Sequence, residues 1–109
     1  MSNKLANSKE WQLVTQALLD GEGYPKSEEQ YRQLSYSTQN IRKLLDELFE
    51  NHYKELNTIE KQMILNCIDG AMHYVDIDIP SLYDISELEL NKFKEELEER
   101  WNMRSAYVK

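Results

Sequence analysis

The sequence has one cysteine, Cys67, so no disulfide can form within the chain, which fits a reducing compartment. Only 3 glycines and 2 prolines occur in 109 residues. That is lean for the turns of a β-sandwich, and the 40% of apolar residues is too many for a disordered chain. Long apolar runs are missing, and nothing approaches the ~18 residues of a membrane span. The opening M-S-N-K-L-A-N-S-K-E-W lacks the basic start and apolar run of a secretory signal, so a cytoplasmic location is expected. Clustered positive charge is missing too. The 13 Lys and Arg are scattered among 20 Asp and Glu, for a net charge of −7, and a sequence pI near 4.8. This disfavours direct nucleic-acid binding, which needs grouped cations for phosphates. It also disfavours a membrane-surface helix, whose polar face would be basic.

What remains has the periodicity of helices. Ser8 is placed to cap a first helix carrying Trp11, Val14 and Leu18, widened by Leu13 and Ala17. Gly21 to Pro25 ends it. Ser27 and Gln30 have capping-box spacing and predict a short second helix with Tyr31 and Leu34. A third helix shows Ile41, Leu44, Leu45, Leu48, Phe49 and Tyr53 at the 3.6-residue period. Asn57 with Glu60 opens a fourth, bearing Ile59, Met63, Ile64, Cys67, Ile68, Ala71, Met72 and Val75. So wide an apolar face predicts the most buried helix. Gly70 inside it costs roughly 1 kcal/mol of helix propensity against Ala, which predicts a close helix crossing there. Pro80 stops the run, and Ser86 with Glu89 caps a last helix on which Leu90, Phe93, Leu97 and Trp101 form one stripe. With loops this short, the expectation is an all-α, single-domain bundle of four to five helices over residues 1–109, with residues 1–7 flexible.

Charge is unevenly distributed along this bundle. From Asp69 to Glu99 ten acids face only Lys92 and Lys94, a net of −8, while the rest of the chain comes to +1. Helix dipoles account for Asp84, Glu87 and Glu89 near a helix start, at about 0.3–1 kcal/mol each, and Glu96 with Arg100 forms an i,i+4 pair. They do not account for Glu95, Glu96, Glu98 and Glu99, which sit where the dipole disfavours anions and where Glu95 repels Glu99. At 100° per residue Glu95 and Glu99 fall opposite the apolar stripe and should face water. Seven tyrosines against 2 phenylalanines suit interfacial sites, where a ring with a polar tip dominates binding. Equally, Tyr74 and Tyr83 suit the core's edge with hydroxyls in water. The expected partner site is therefore Tyr83 as anchor with Asp76, Asp78 and Asp84, supported by a steering field from Glu95, Glu98 and Glu99.

Reactive chemistry finds little support. Asp69 and His73 lie one turn apart, with Asp76 and Asp78 following, but a second histidine is missing nearby and no metal site is expected. His52 suits a helix C-terminus. Cys67 shares a face with Ile64, Ile68 and Ala71 and reads as a buried apolar thiol. No Gly-rich phosphate loop, G-x-S-x-G, H-E-x-x-H or C-x-x-C occurs, so neither enzymatic activity nor a cofactor is expected.

In size, charge and helical pattern the chain resembles the small acidic proteins with which bacteria and their phages neutralise basic nucleases or other nucleic-acid-binding proteins. The resemblance is one of type and carries no residue-level motif. It implies a non-enzymatic inhibitor of the immunity, antitoxin or phage counter-defence kind, which covers a basic protein partner and in some cases imitates the phosphate charge of DNA. The rival expectation is a structural subunit or adaptor acting through apolar homo- or hetero-oligomer contacts, a homodimer included. Its features are the apolar excess of the fourth helix and the terminal M-R-S-A-Y-V-K, where Tyr107 and Val108 have no evident core role.

Overall fold

The computed structural model describes residues 3–23, 36–73 and 77–106, and every regular element among them is a helix. Helix α1 spans Ser8–Gly23, α2 Thr38–Glu50, α3 Thr58–His73, α4 Ile79–Tyr83 and α5 Glu87–Trp101. The second helix expected around Tyr31 and Leu34 lies outside the described residues, as do Tyr74, Val75, Asp76, Tyr107 and Val108. Helix α1 packs along both α2 and α3, α5 covers the other side of α3, and α4 bridges α1 and α5. The Cα radius of gyration, 12.8 Å, matches the ~13 Å of a single domain of about 100 residues. The protein is an all-α bundle.

Each start is fixed by a short polar side chain. Asn7, not Ser8, caps α1: its Oδ1 accepts from the Glu10 N–H at 2.9 Å. Residues 3–7, expected to be flexible, are held in place. Leu5 is buried, the Asn3 carbonyl accepts from the Leu56 N–H at 2.8 Å, and Asn3 Oδ1 accepts from Lys61 Nζ at 2.5 Å. Ser37 and Asn40 form a reciprocal capping box on α2, as do Asn57 and Glu60 before α3 at 2.9 and 2.8 Å and Ser86 and Glu89 on α5.

The predicted core stripes of α2 and α5 are buried: Ile41, Leu44, Leu45 and Leu48 on one, Leu90, Phe93, Leu97 and Trp101 on the other. Two aromatic side chains placed on the α2 stripe are instead exposed, Phe49 at 56% and Tyr53 at 42%. Phe49 is one 100° step past Leu48, at the rim of the apolar arc. Tyr53 comes after the helix has ended at an extended Asn51, so the helical period no longer governs it.

Helix α3 is enclosed on every side from Met63 to Ala71, as its breadth of apolar residues predicts. Ile59, in its first turn, is the exception at 49% exposed. Gly70 is buried, and α1 approaches α3 closely at Gly21. A Cβ placed there would lie 2.5 Å from Cys67 Sγ and 3.2 Å from Cys67 Cβ. Cys67 is buried as expected.

Pro80 does not simply stop a helix; it begins one. It occupies the first turn of α4, where a missing N–H forfeits no helical bond. Asp78 caps that turn, accepting from the Ser81 N–H and hydroxyl at 3.4 and 2.8 Å. Asp84 then ends α4 in the left-handed region, φ 58°.

Candidate protein-binding surface

The ten acids of the Asp69–Glu99 segment meet three fates. Asp76 lies outside the described residues. Asp69 and Glu98 are buried. The remaining seven, Asp78, Asp84, Glu87, Glu89, Glu95, Glu96 and Glu99, are exposed. The only ion pair that any of these seven makes among the described residues is Glu96 with Arg100, at 4.0 Å. That cation is already committed elsewhere: Arg100 donates to both oxygens of Glu10 at 2.8 and 2.7 Å, tying α5 to the start of α1. Its hydrogen bonds hold the Glu10 carboxyl below the usual carboxylate range against the opposing effect of burial. The expected Glu96–Arg100 contact is therefore marginal beside the pair that α1 supplies. Glu95 accepts from the Asn91 amide at 2.7 Å and faces water with Glu99, as the helical wheel predicts.

Two members of the expected partner site face inward and need correcting. Tyr83 is 3% exposed, and its hydroxyl donates to Asp20 Oδ2 at 2.6 Å, so it joins α4 to α1 rather than projecting as an anchor. Position 83 ends a five-residue helix whose other buried side chain is Ile79, four residues earlier and hence on the same face. Burial raises the Asp20 carboxyl above its ordinary value, with the Tyr83 and Gln16 hydrogen bonds opposing that rise. Glu98 is 6% exposed, because it stands 80° from Leu90 on the wheel and faces α3 and the returning C-terminal segment. Its Oε2 accepts from the Ser105 N–H at 2.8 Å, and Lys94 Nζ is 3.9 Å from its other oxygen.

This buried carboxylate belongs to a polar cluster that no motif announces. Asp69 Oδ2 accepts from the Ser105 hydroxyl at 2.9 Å, and its Oδ1 lies 3.1 Å from His73 Nε2 and 4.0 Å from Lys94 Nζ. Asn66 Oδ1 accepts from the Ala106 N–H at 2.7 Å, and its amide donates to the Tyr36 hydroxyl at 2.9 Å. Burial pushes the Tyr36 hydroxyl well above its ordinary value. The cluster clamps residues 103–106 back against α3. Serine, aspartate and histidine meet here, yet the aspartate stands between the other two. A nucleophilic serine needs the imidazole beside its hydroxyl, and here the hydroxyl is spent on the carboxylate. Both Asp69 oxygens are occupied, and among the described residues no three His, Cys, Asp or Glu side chains converge as metal ligands.

A second surface feature was not anticipated. Trp11 donates its indole N–H to the Leu48 carbonyl at 2.9 Å, stacks on His52 with centroids 4.0 Å apart, and meets the edge of Phe49 at 5.5 Å. His52 lies just past the C-cap Asn51 of α2, near a helix C-terminus as expected, and there it stacks on Trp11. Beside the aromatic group runs an open groove of about 340 Å³ between α1, the end of α2 and α4. Leu19, Phe49 and Leu82 line it, Tyr83 contributes to its wall, and Lys9 and Asp84 are its charged members. The apolar residues of α3 from Met63 to Ala71, by contrast, are consumed by the core.

No protein-family model, curated protein or solved structure matches the chain. Among the described residues, no helix is long and apolar enough to cross a membrane.

Proposed function

We propose that the protein is a non-enzymatic, acidic inhibitor that covers a basic surface of a nucleic-acid-acting protein, in the manner of immunity, antitoxin or phage counter-defence proteins. The observation that supports this reading is the set of seven exposed carboxylates in residues 78–99, of which only Glu96 has a cation within 4.0 Å among the described residues. A field of one sign raises the rate at which a positively charged partner arrives, and it excludes acidic competitors. Asp78, Asp84, Glu95 and Glu99 are its members from the expected site; Glu87, Glu89 and Glu96 join them, while Glu98 and Tyr83 serve the fold.

The test is a comparison of the wild-type protein with a Glu95→Gln, Glu96→Gln, Glu99→Gln variant, each immobilised and exposed to bacterial lysate at low and high salt. Basic nucleases or other nucleic-acid enzymes are expected on the wild type at low salt, with activity suppressed by the free protein, and the variant should retain far less. Equal retention by both would remove the carboxylates from the mechanism.

A second reading is favoured by one observation, the apolar groove with its half-exposed leucines: the protein joins an assembly as an adaptor, through apolar contacts. A complex or homodimer that persists at high salt in sedimentation would support it.

A further inference from the structure

The geometry points to the groove between α1, α2 and α4 as a socket for an apolar anchor carried on an amphipathic, positively charged helix of the partner. Three large side chains on three different helices converge there while remaining about half exposed: Leu19 at 50%, Phe49 at 56% and Leu82 at 47%. Scattered exposed leucines need no explanation, but a contiguous apolar concavity does. The hydroxyl of Tyr83 is engaged by Asp20, so this side chain contributes to the wall without offering a projecting anchor. The protein therefore offers the hole, and the partner supplies the side chains that fill it. An amphipathic helix fits such a groove with anchors at i, i+3 or i+4 and i+7.

Charge selects the occupant. Asp84 lies on the groove with its carboxylate exposed, and it opens the run of exposed carboxylates that continues with Glu87 and Glu89, neither of which has an ionic partner among the described residues. Lys9 is the one cation among the described residues that line it. Beyond this rim the chain carries −7 overall. A second copy would bring the same rim and the same −7 against itself, and an acidic helix would be repelled likewise. A helix with apolar residues on one face and Lys or Arg on the other satisfies both the groove and the field. This inference rests on the inhibitor reading for the sign of the partner's charge, and it adds where the partner's apolar contacts fall.

The experiment uses synthetic helical peptides of about four turns. One has leucine on one face and lysine on the other, one has the same composition scrambled so that no apolar face forms, and one keeps the leucine face but replaces lysine by glutamate. Each is titrated into the isotope-labelled protein while the Trp11 indole and the methyl groups of Leu19 and Leu82 are followed by NMR. The basic amphipathic peptide should shift those signals and bind at least about tenfold tighter than either control. Leu19→Ser and Leu82→Lys, both at exposed positions, should each remove most of that gain without altering the helical spectrum. Equal binding of the scrambled basic peptide overturns the groove while leaving the carboxylate field intact. Equal binding of the glutamate peptide overturns the choice of a basic occupant. A homodimer dissolved by Leu82→Lys overturns the proposal by making a second copy the occupant.

Discussion

Replacing Gly21 by alanine should destabilise the bundle even though alanine is the better helix former. The substitution gains about 1 kcal/mol of helix propensity. Against that, the new methyl would lie 2.5 Å from Cys67 Sγ and 3.2 Å from Cys67 Cβ, well inside contact. The sulfur can retreat only by turning about χ1, and one of the three staggered positions is denied to it on a helix. The Cβ contact at 3.2 Å is tight but is relieved by a shift of a few tenths of an ångström, so the sulfur carries most of the clash. Overpacking of this kind costs about 1–3 kcal/mol, so the clash wins, and at this size each kcal/mol lowers Tm by about 4–8 °C. Cys67→Ala alone should cost about 1 kcal/mol for the lost sulfur. In that background Gly21→Ala should turn neutral or stabilising, giving a coupling energy of about 1–3 kcal/mol between the two sites. Urea melts of the four proteins followed by circular dichroism measure it, provided the slope with denaturant stays constant. A Gly21→Ala protein as stable as wild type, with additive effects in the double mutant, would refute the close crossing of α1 and α3.

Arg100→Ala should lower stability at neutral pH by about 2 kcal/mol, because it leaves the nearly buried Glu10 with only the Ala6 N–H. Glu10 has its folded pKa depressed, so its contribution is complete above the unfolded value near 4.5 and is lost as pH falls through the folded value. Acid titrations of stability should therefore show a shallower decline in Arg100→Ala. Tyr83→Phe works in the other direction on Asp20, whose pKa burial already raises. Removing the hydroxyl should raise it further, which carboxyl-carbon NMR measures, and should cost about 1–2 kcal/mol at neutral pH. Part of that loss should return on acidification, since the folded state then holds the Asp20 proton more tightly than the unfolded chain. Asn66→Leu should cost about 2–3 kcal/mol, because it orphans the Tyr36 hydroxyl and the Ala106 N–H. Hydrogen exchange should show residues 105–106 losing protection first.

Local signals carried most of the fold into the sequence. The boxes Asn57/Glu60 and Ser86/Glu89 are three-residue patterns, and the stripes of α2, α3 and α5 need only the 3.6-residue period, so all were legible. The Ser37/Asn40 box was missed because asparagine stood in the place where Glu or Gln is sought. Position at the edge of a stripe was less legible. Phe49 has the period of a core residue and still lies outside, since whether a rim position is covered depends on which helix lies next to it. Tyr83 failed for the opposite reason. Its neighbours in sequence are acids and loop formers, whereas its partner, Asp20, is 63 residues away. The polar cluster around Asp69, Glu98 and Ser105 likewise draws its members from α3, α5 and the C-terminal segment, a meeting that no local spacing encodes.

The two groups of acids thus differ in what holds them. Asp69 and Glu98 are buried, and burial is tolerable only because Lys94, His73 and Ser105 surround them. Glu95, Glu96 and Glu99 have no such necessity. They occupy the last two turns of α5, where the helix dipole and their own repulsion each cost a few tenths of a kcal/mol, and the one cation within 4.0 Å of any of them among the described residues, Arg100, is held by Glu10. Glutamine at those positions would keep the helix propensity and shed the repulsion. Their fold would be at least as stable without the charge, so the charge is better explained by what it does in solution than by what it does for α5. A long-range field brings a cationic protein near at any orientation, and a groove of fixed shape accepts it in one. Asp84 stands on both, at the end of α4 where the groove meets the acidic segment, and it is there that steering and seating would act on the same partner.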